Sequence, residues 1–392
     1  MTERAAPSSL DILRACALGV GAMVALGFSR FAYSLLLPPM REDLGLTYAQ
    51  AGSLNGANGL GYIAGAIGAA LAARRWGAAR PFQIGLLLSA LILLATALTS
   101  DLGLLFAIRT AGGTATAFAF ILGAALAAAI SPNPARSGTL VGIYMAGAGM
   151  GVVLSGLLLP FALAGGFGGW REGWVLLGIV SLLGVAPAWW AAGRGVGTAR
   201  GGMSGSLEDI GKLWPTAVGY TFFGAGYSGF MTFMIAYLRE AGQGGVDPAI
   251  VWVVLGLAAV ICSPFLGGVL ARRSGGRGPA LAYTLLMLAT LPLLLWSGPV
   301  AALACAILFG GSMMGGPGSI TIVARQQVPP SSLPLAVAVL TVIFSFGQAV
   351  GPIFSGIVTD MTGSVLAGMW TAPILLGIGA LVALLQRPVS AA

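Results

Sequence analysis

Twelve apolar stretches, each about long enough to cross a bilayer, follow one another along the 392 residues with only short polar breaks between them. They lie at about 15–39, 48–73, 81–99, 102–130, 138–164, 172–192, 213–238, 248–271, 280–297, 299–323, 333–358 and 366–386. Charged residues make up 8% of the chain, where a soluble domain carries about 25%. A water-exposed surface cannot be covered with so little charge, and a chain that is 57% apolar does not stay disordered. The pattern predicts an all-α polytopic membrane protein with twelve transmembrane helices. The 62 glycines fit closely packed membrane helices.

Lys and Arg total 19 against 11 Asp and Glu, a net charge of +8. In a soluble chain that balance would point to nucleic acid. Here it predicts orientation instead, and no nucleic-acid partner, because basic residues collect in cytoplasmic loops. An even number of spans puts both termini on one side. If that side is cytoplasmic, 14 basic residues lie inside, including Arg4, Arg194 and Arg200, and 3 outside (Arg41, Arg171, Arg239). The remaining 2, Arg30 and Arg109, fall within spans. The expected setting is the bilayer of the plasma (inner) membrane, multi-pass, with both termini cytoplasmic. The first span is too long, and lacks a cleavage site, to be a removable signal peptide. Trp76, Trp170, Trp174, Trp189, Trp190, Trp214, Trp252, Trp296 and Trp370 lie at or near span ends, where interfacial anchors belong. Cys16, Cys262 and Cys305 are dispersed and there is no histidine. No metal site, disulfide framework, cofactor or enzymatic nucleophile–base pair is therefore expected.

The longest break, 193–212, is Gly-rich and nearly central. It reads as a flexible cytoplasmic linker between an N-terminal six-helix bundle (1–192) and a C-terminal one (213–392). The halves repeat. Ala73-Arg74-Arg75-x-Gly77-xxx-Pro81 recurs 198 residues later as Ala271-Arg272-Arg273-x-Gly275-xxx-Pro279. Arg41-Glu42 recurs as Arg239-Glu240, and Gly112-Gly113 as Gly310-Gly311. Gly147, Gly151, Ser155 and Gly156 recur as Gly347, Gly351, Ser355 and Gly356. Homologous halves imply a pseudo-twofold axis along the membrane normal and a site near the midplane. The glycine ladders, Gly142 to Gly156 and its copy, are expected to form the close-packed seam between the halves.

With these residues in place, the sequence resembles the major facilitator superfamily over nearly its whole length. The loops ALAARRWGAAR and GVLARRSGGRG resemble that family's signature of Gly, Asp, Arg, Gly and basic residues. Arg74 and Arg272 stand where the family usually has its Asp. The resemblance implies that Arg74, Arg75, Gly77, Arg272, Arg273 and Gly275 form gating loops. Arg109-Thr110-Ala111-Gly112-Gly113 resembles a second signature, which implies a coupling role for Arg109. The segment Gly27-Phe28-Ser29-Arg30-Phe31-Ala32-Tyr33, followed by Leu37-Pro38-Pro39-Met40, is similar to the YbfB/YjiJ-type branch. The family architecture implies that spans 1, 4, 7 and 10 line a central cavity and that the protein works as a monomer.

Arg30 lies roughly 12 Å along its helix from Pro38, at 1.5 Å per residue. A charge at that depth faces a cavity or a partner, and a guanidinium grips carboxylate or phosphate bidentately. The plain alternative is that Arg30 snorkels or sets helix packing. Arg109 likewise could snorkel towards Asp101. Tyr33, one turn from Arg30, shares its face. Asn55 and Asn58 stand at i and i+3, suited to cavity or interhelical hydrogen bonds. Tyr220, Tyr227, Ser228 and Met231 give span 7 an amphipathic wall. Ser312, Met313 and Met314 interrupt the Gly run of span 10, and Gln348 is the clearest polar group of span 11. No Asp, Glu or His falls near the middle of a span, so a cationic cargo finds no counter-charge.

The expected function is alternating-access transport of a small organic anion, a carboxylate for preference, by proton symport or exchange. Arg30, Tyr33, Asn58, Tyr227, Met313 and Gln348 bind this cargo and Arg109 serves coupling. The alternative is export of neutral or amphipathic small molecules, with both arginines structural.

Overall fold

The computed structural model describes residues 7–163, 169–193, 206–240 and 246–388. Glu3, Arg4, Arg194, Arg200 and the linker over 194–205 lie outside the described residues. All regular structure among the described residues is helical. In chain order the helices are α1 (Ser9–Ala22), a π-helical segment (Met23–Phe31), α2 (Tyr33–Leu44), α3 (Tyr48–Trp76), α4 (Ala79–Thr96), α5 (Leu102–Ala128), α6 (Pro134–Leu163) and α7 (Trp170–Ala192). There follow α8 (Leu207–Gly211), α9 (Trp214–Glu240), α10 (Pro248–Ala271), α11 (Arg277–Leu295), α12 (Pro299–Ser312), α13 (Gly315–Gln327), α14 (Leu333–Thr362) and α15 (Val365–Ala383).

Every apolar stretch coincides with helix. Among the described residues, 10 helices are long and apolar enough to cross a membrane, or 11 if the two arms of α10, bent by 49°, count as one span. The stretch at 213–238 is α9, which is long enough but is not among them. Its glycines, tyrosines and threonines lower its hydropathy, and most of its length is buried. A helix covered by protein rather than lipid has no need to be apolar all round. The count of twelve rests on α9 being a crossing as well.

The scarce carboxylates largely serve helix starts. Ser8 and Asp11 form a capping box on α1. Asp101 accepts the Leu104 N–H at 2.7 Å, and Asp247 caps α10 ahead of Pro248. At α3, Thr47 and Gln50 exchange side chain-to-backbone bonds of 2.9 and 3.2 Å. The two remaining first-turn donors, Tyr48 N–H and Ala49 N–H, both go to the Asp360 carboxylate of α14 at 2.8 Å.

The chain divides into two compact units, Met1–Leu36 with Leu60–Arg200, and Leu37–Gly59 with Gly201–Ala392. Both unit boundaries before residue 60 cut through helices, α2 and α3. The hairpin 37–59 is thus an integral part of the second unit.

In the first unit, the glycines of α6 lie against α1 and the π-helical segment. A Cβ on Gly147 would collide with the Gly19 carbonyl, and one on Gly151 would lie 2.7 Å from the Met23 carbonyl oxygen. In the second unit, Gly347 and Gly351 of α14 meet the Thr221 and Ala225 carbonyls of α9 in the same way. Gly147, Gly151, Gly347 and Gly351 therefore pack within their own halves, a correction to the seam expected between them, while Gly356 at the end of the second ladder does lie against Tyr48 and Ala49 of the N-terminal half. Close approach of two backbones needs small residues wherever it occurs, so composition alone cannot say which helix the ladder faces.

The repeat carries through to backbone conformation. Gly77 and Gly275, 198 positions apart, both take positive φ, 75° and 55°. An L side chain is strained there, which explains why each loop keeps a glycine at that place.

The tryptophans divide. Trp76, Trp214 and Trp296 are exposed, as anchors should be. Trp170, Trp174 and Trp252 are fully buried. Their position near helix ends is real, but protein rather than headgroups surrounds them.

Candidate functional site

In the first unit the two intramembrane arginines sit in an aromatic setting. Arg30 belongs to the π-helical segment and is 5% exposed. The wider turn is an i→i+5 ladder, seen where the Ala32 N–H donates to the Gly27 carbonyl at 2.9 Å. The Arg30 guanidinium carbon lies 5.9 Å from the centre of the Tyr62 ring on α3.

Arg109 of α5 is 2% exposed. One Nη donates to the Ser29 carbonyl of the π-helical segment at 2.8 Å. Its guanidinium carbon stands 4.9 Å from the Tyr33 ring centre and 5.3 Å from that of Trp174 on α7. Tyr33 and Trp174 stack with centroids 6.4 Å apart. Arg109 thus ties the π-helical segment, α2, α5 and α7 together. It does not snorkel to Asp101, which caps α5 instead. A planar cation can lie on rings and donate in its own plane at once, which an ammonium cannot.

The second unit holds the other predicted residues. Tyr227 of α9 is buried in an aromatic stack: its ring lies 5.9 Å from Phe223, with planes 1° apart, and 6.1 Å from Phe309 of α12. Phe223 stacks further on Tyr220, Phe344 and Tyr283. Met313 is buried at the break between α12 and α13. Gln348 of α14 is buried, and its carbonyl accepts from Ser228 at 2.9 Å. Asn58 is buried on α3. Its neighbour one turn back, Asn55, donates its amide to the Thr232 hydroxyl at 2.7 Å. For Asn55 this is the interhelical use weighed for the pair.

The four arginines of the predicted gating loops are exposed, whereas Gly77 is half-buried and Gly275 is buried. Arg74 and Arg75 end α3, with the Arg75 guanidinium carbon 5.4 Å from the Trp76 ring centre. The Gly275 N–H donates to Gln326 at 3.2 Å, and Gln326 donates to the Arg273 carbonyl at 3.1 Å. Arg272 is the residue that ends α10.

A separate cluster lies at the hairpin of the second unit. The Arg41 guanidinium reaches the Glu240 carboxylate at 3.5 Å and lies 4.0 Å from the centre of the Tyr48 ring. The Tyr48 hydroxyl donates to Glu240. These groups line a cavity of about 210 Å³ with Pro38, Glu42, Ala236 and Arg239.

Sequence reasoning missed Tyr62, Trp174, Phe309 and Phe344 as partners. Trp174 offered a signal, since an indole four residues into α7 is deep for an anchor. Tyr62 follows Asn55 and Asn58 at helical spacing, which puts the three on one face of α3.

The chain is similar to known proteins in sequence and in fold. A family model described as "Uncharacterised MFS-type transporter YbfB" matches residues 22–384. A chloramphenicol resistance protein of Streptomyces lividans is 27% identical over 383 residues, covering 94% of this chain and 95% of that one. Among solved structures, a bacterial homologue of the human lysosomal transporter Spinster, in an inward-facing and occupied conformation, aligns with a TM-score of 0.75. It is 17% identical, with 96% of each chain covered. The nucleoside transporter NupG aligns with a TM-score of 0.74 at 14% identity, covering 96% of this chain and 98% of its own. At these identities the solved structures establish the fold alone.

Proposed function

Because the chain belongs to the YbfB-type family of major facilitator transporters, we propose that it exports small uncharged organic molecules by alternating access. The observation that carries this reading is the relative whose name records chloramphenicol resistance, alike along nearly the full length of both chains. The chemistry of the interior supports it. Among the described residues no Asp or Glu is buried, so a cation would lack a counter-charge. The Arg109 guanidinium is committed to a carbonyl and two rings of its own unit. Aromatic stacks in both units offer apolar faces. In this proposal the protein sits as a monomer in the plasma membrane with both termini cytoplasmic. The Arg74–Gly77 and Arg272–Gly275 loops act as cytoplasmic gates.

A second reading, transport of an organic carboxylate by Arg30 with Arg109, is favoured by one observation: two arginines are buried where no carboxylate is. Everted membrane vesicles separate the two. Export predicts saturable, energy-dependent uptake of radiolabelled chloramphenicol, present with the protein and absent without it. Failure of that uptake, together with benzoate uptake that both Arg30→Ala and Arg30→Lys abolish, would establish the carboxylate reading instead.

A further inference from the structure

We propose that Asn55 is a cargo-binding residue whose side-chain oxygen accepts a hydrogen bond from an uncharged hydroxyl group of the cargo. A buried thread of hydrogen bonds runs through the second unit. The Ser228 hydroxyl donates to the Gln348 carbonyl at 2.9 Å. The Thr232 hydroxyl donates to the Ser228 carbonyl at 2.7 Å. A hydroxyl has one hydrogen, so the Thr232 oxygen can only accept from Asn55, at 2.7 Å. This fixes the amide: its NH₂ faces Thr232 and its Oδ1 faces away.

That Oδ1 is fully buried and has no hydrogen-bond partner in the protein. Asn55 itself is 6% exposed. Leaving a buried acceptor unmade is unfavourable, so the position selects for something that donates. The thread also selects the charge of that group. Asn55, Thr232, Ser228 and Gln348 are all neutral. The charged groups of the hairpin region, Arg41, Glu240 and Asp360, cluster around the start of α3. That start is roughly 10 Å from Asn55 along the axis at 1.5 Å per residue. A carboxylate would bring acceptor against acceptor, and an ammonium would find no counter-charge. A hydroxyl satisfies Oδ1 without either penalty. Asn55 stands at the edge of the face that Gly52, Gly56 and Gly59 press onto Pro352 and Ala349 of α14, which holds the helix in rotation.

This inference deepens the export reading and rests on it. Chloramphenicol, which carries two hydroxyls, and its diacetate, which carries none, make a matched probe pair. Binding is read by thermal shift of the full chain in nanodiscs, and transport in everted vesicles. The wild type is expected to favour chloramphenicol by about tenfold, and Asn55→Ala is expected to bring that ratio close to one. Thr232→Val, which frees the amide to flip, lowers the ratio. Thr232→Ser, which keeps the hydroxyl, retains it, and this pair carries the test should Asn55→Ala fail to fold. A hydroxyl preference that survives in Asn55→Ala and in Thr232→Val reflects size rather than this bond and overturns the proposal. Export of both probes with no preference overturns the proposal while the export reading stands. If the wild type handles neither probe, both fall.

Discussion

Replacing Asp360 by Ala should unfasten the hairpin 37–59 from the rest of the second unit. The carboxylate takes two first-turn N–H groups of α3, from Tyr48 and Ala49, each at 2.8 Å. A side-chain cap contributes about 0.5–2 kcal/mol, and a negative charge at a helix N-terminus adds about 0.3–1 kcal/mol. Asp360 is exposed, so each contribution stays near the middle of its range rather than at the top. The sum is about 2 kcal/mol, or roughly a 30-fold shift in the local opening equilibrium. Asp360→Asn keeps an acceptor and loses the charge, so about 1 kcal/mol and a shift of roughly fivefold are expected. Arg41→Gln should do less, below about 1 kcal/mol, because the Arg41–Glu240 pair is solvent-accessible. Hydrogen exchange of the nanodisc-embedded protein reads these values directly. The amides of Tyr48 and Ala49 should exchange roughly 30 times faster in Asp360→Ala, with protection unchanged towards Trp76. Less than a twofold change, or a change spread evenly along α3, would refute the reasoning.

Three further outcomes are expected. Gly275→Ala combines a strained φ of 55° with a Cβ 2.7 Å from the Pro388 backbone nitrogen, so it should lower the melting temperature by several degrees. Arg109→Lys cannot hold the Ser29 carbonyl and both rings together, and a loss of about 1–3 kcal/mol in denaturant unfolding is expected; an unchanged midpoint would contradict the geometry. Asp209 is held below its usual carboxyl range by hydrogen bonds from Lys212 and Ser332, and Lys212 is held above its usual range by Asp209. The aspartate contribution is lost as pH falls below the ordinary 3.8, and the lysine contribution as pH rises above the ordinary 10.5. Tryptic cleavage after Lys212, followed by mass spectrometry at neutral pH, should therefore be faster in Asp209→Asn than in the wild type.

Much of the fold was legible because bilayer helices announce themselves by length and hydropathy, and because the loops at Gly77 and Gly275 repeat residue by residue. The burial of Arg30 and Arg109 was legible for the same reason: a lone charge in an apolar run is conspicuous. What surrounds them was not. Helices that are apolar all round carry no phase, so neither the Tyr33–Trp174 stack on Arg109 nor the side to which Gly147 turns can be read from spacing. The π-helical segment is equally silent, since nothing in Met23–Phe31 marks one hydrogen-bond register over another. Asp360 lies 312 residues from Tyr48, and such pairings are set by tertiary packing alone.

The division of the chain at Leu36 and Gly59 bears on any attempt to dissect this protein. Cutting the polypeptide in the linker looks like the natural way to obtain two independent halves. The C-terminal fragment so produced would lack the hairpin that Asp360 caps and that Gly356 admits against Tyr48 and Ala49. It would be an incomplete body awaiting a piece encoded in the other fragment. Co-expressed halves should therefore behave as a complementation pair, the second maturing only where the first is present.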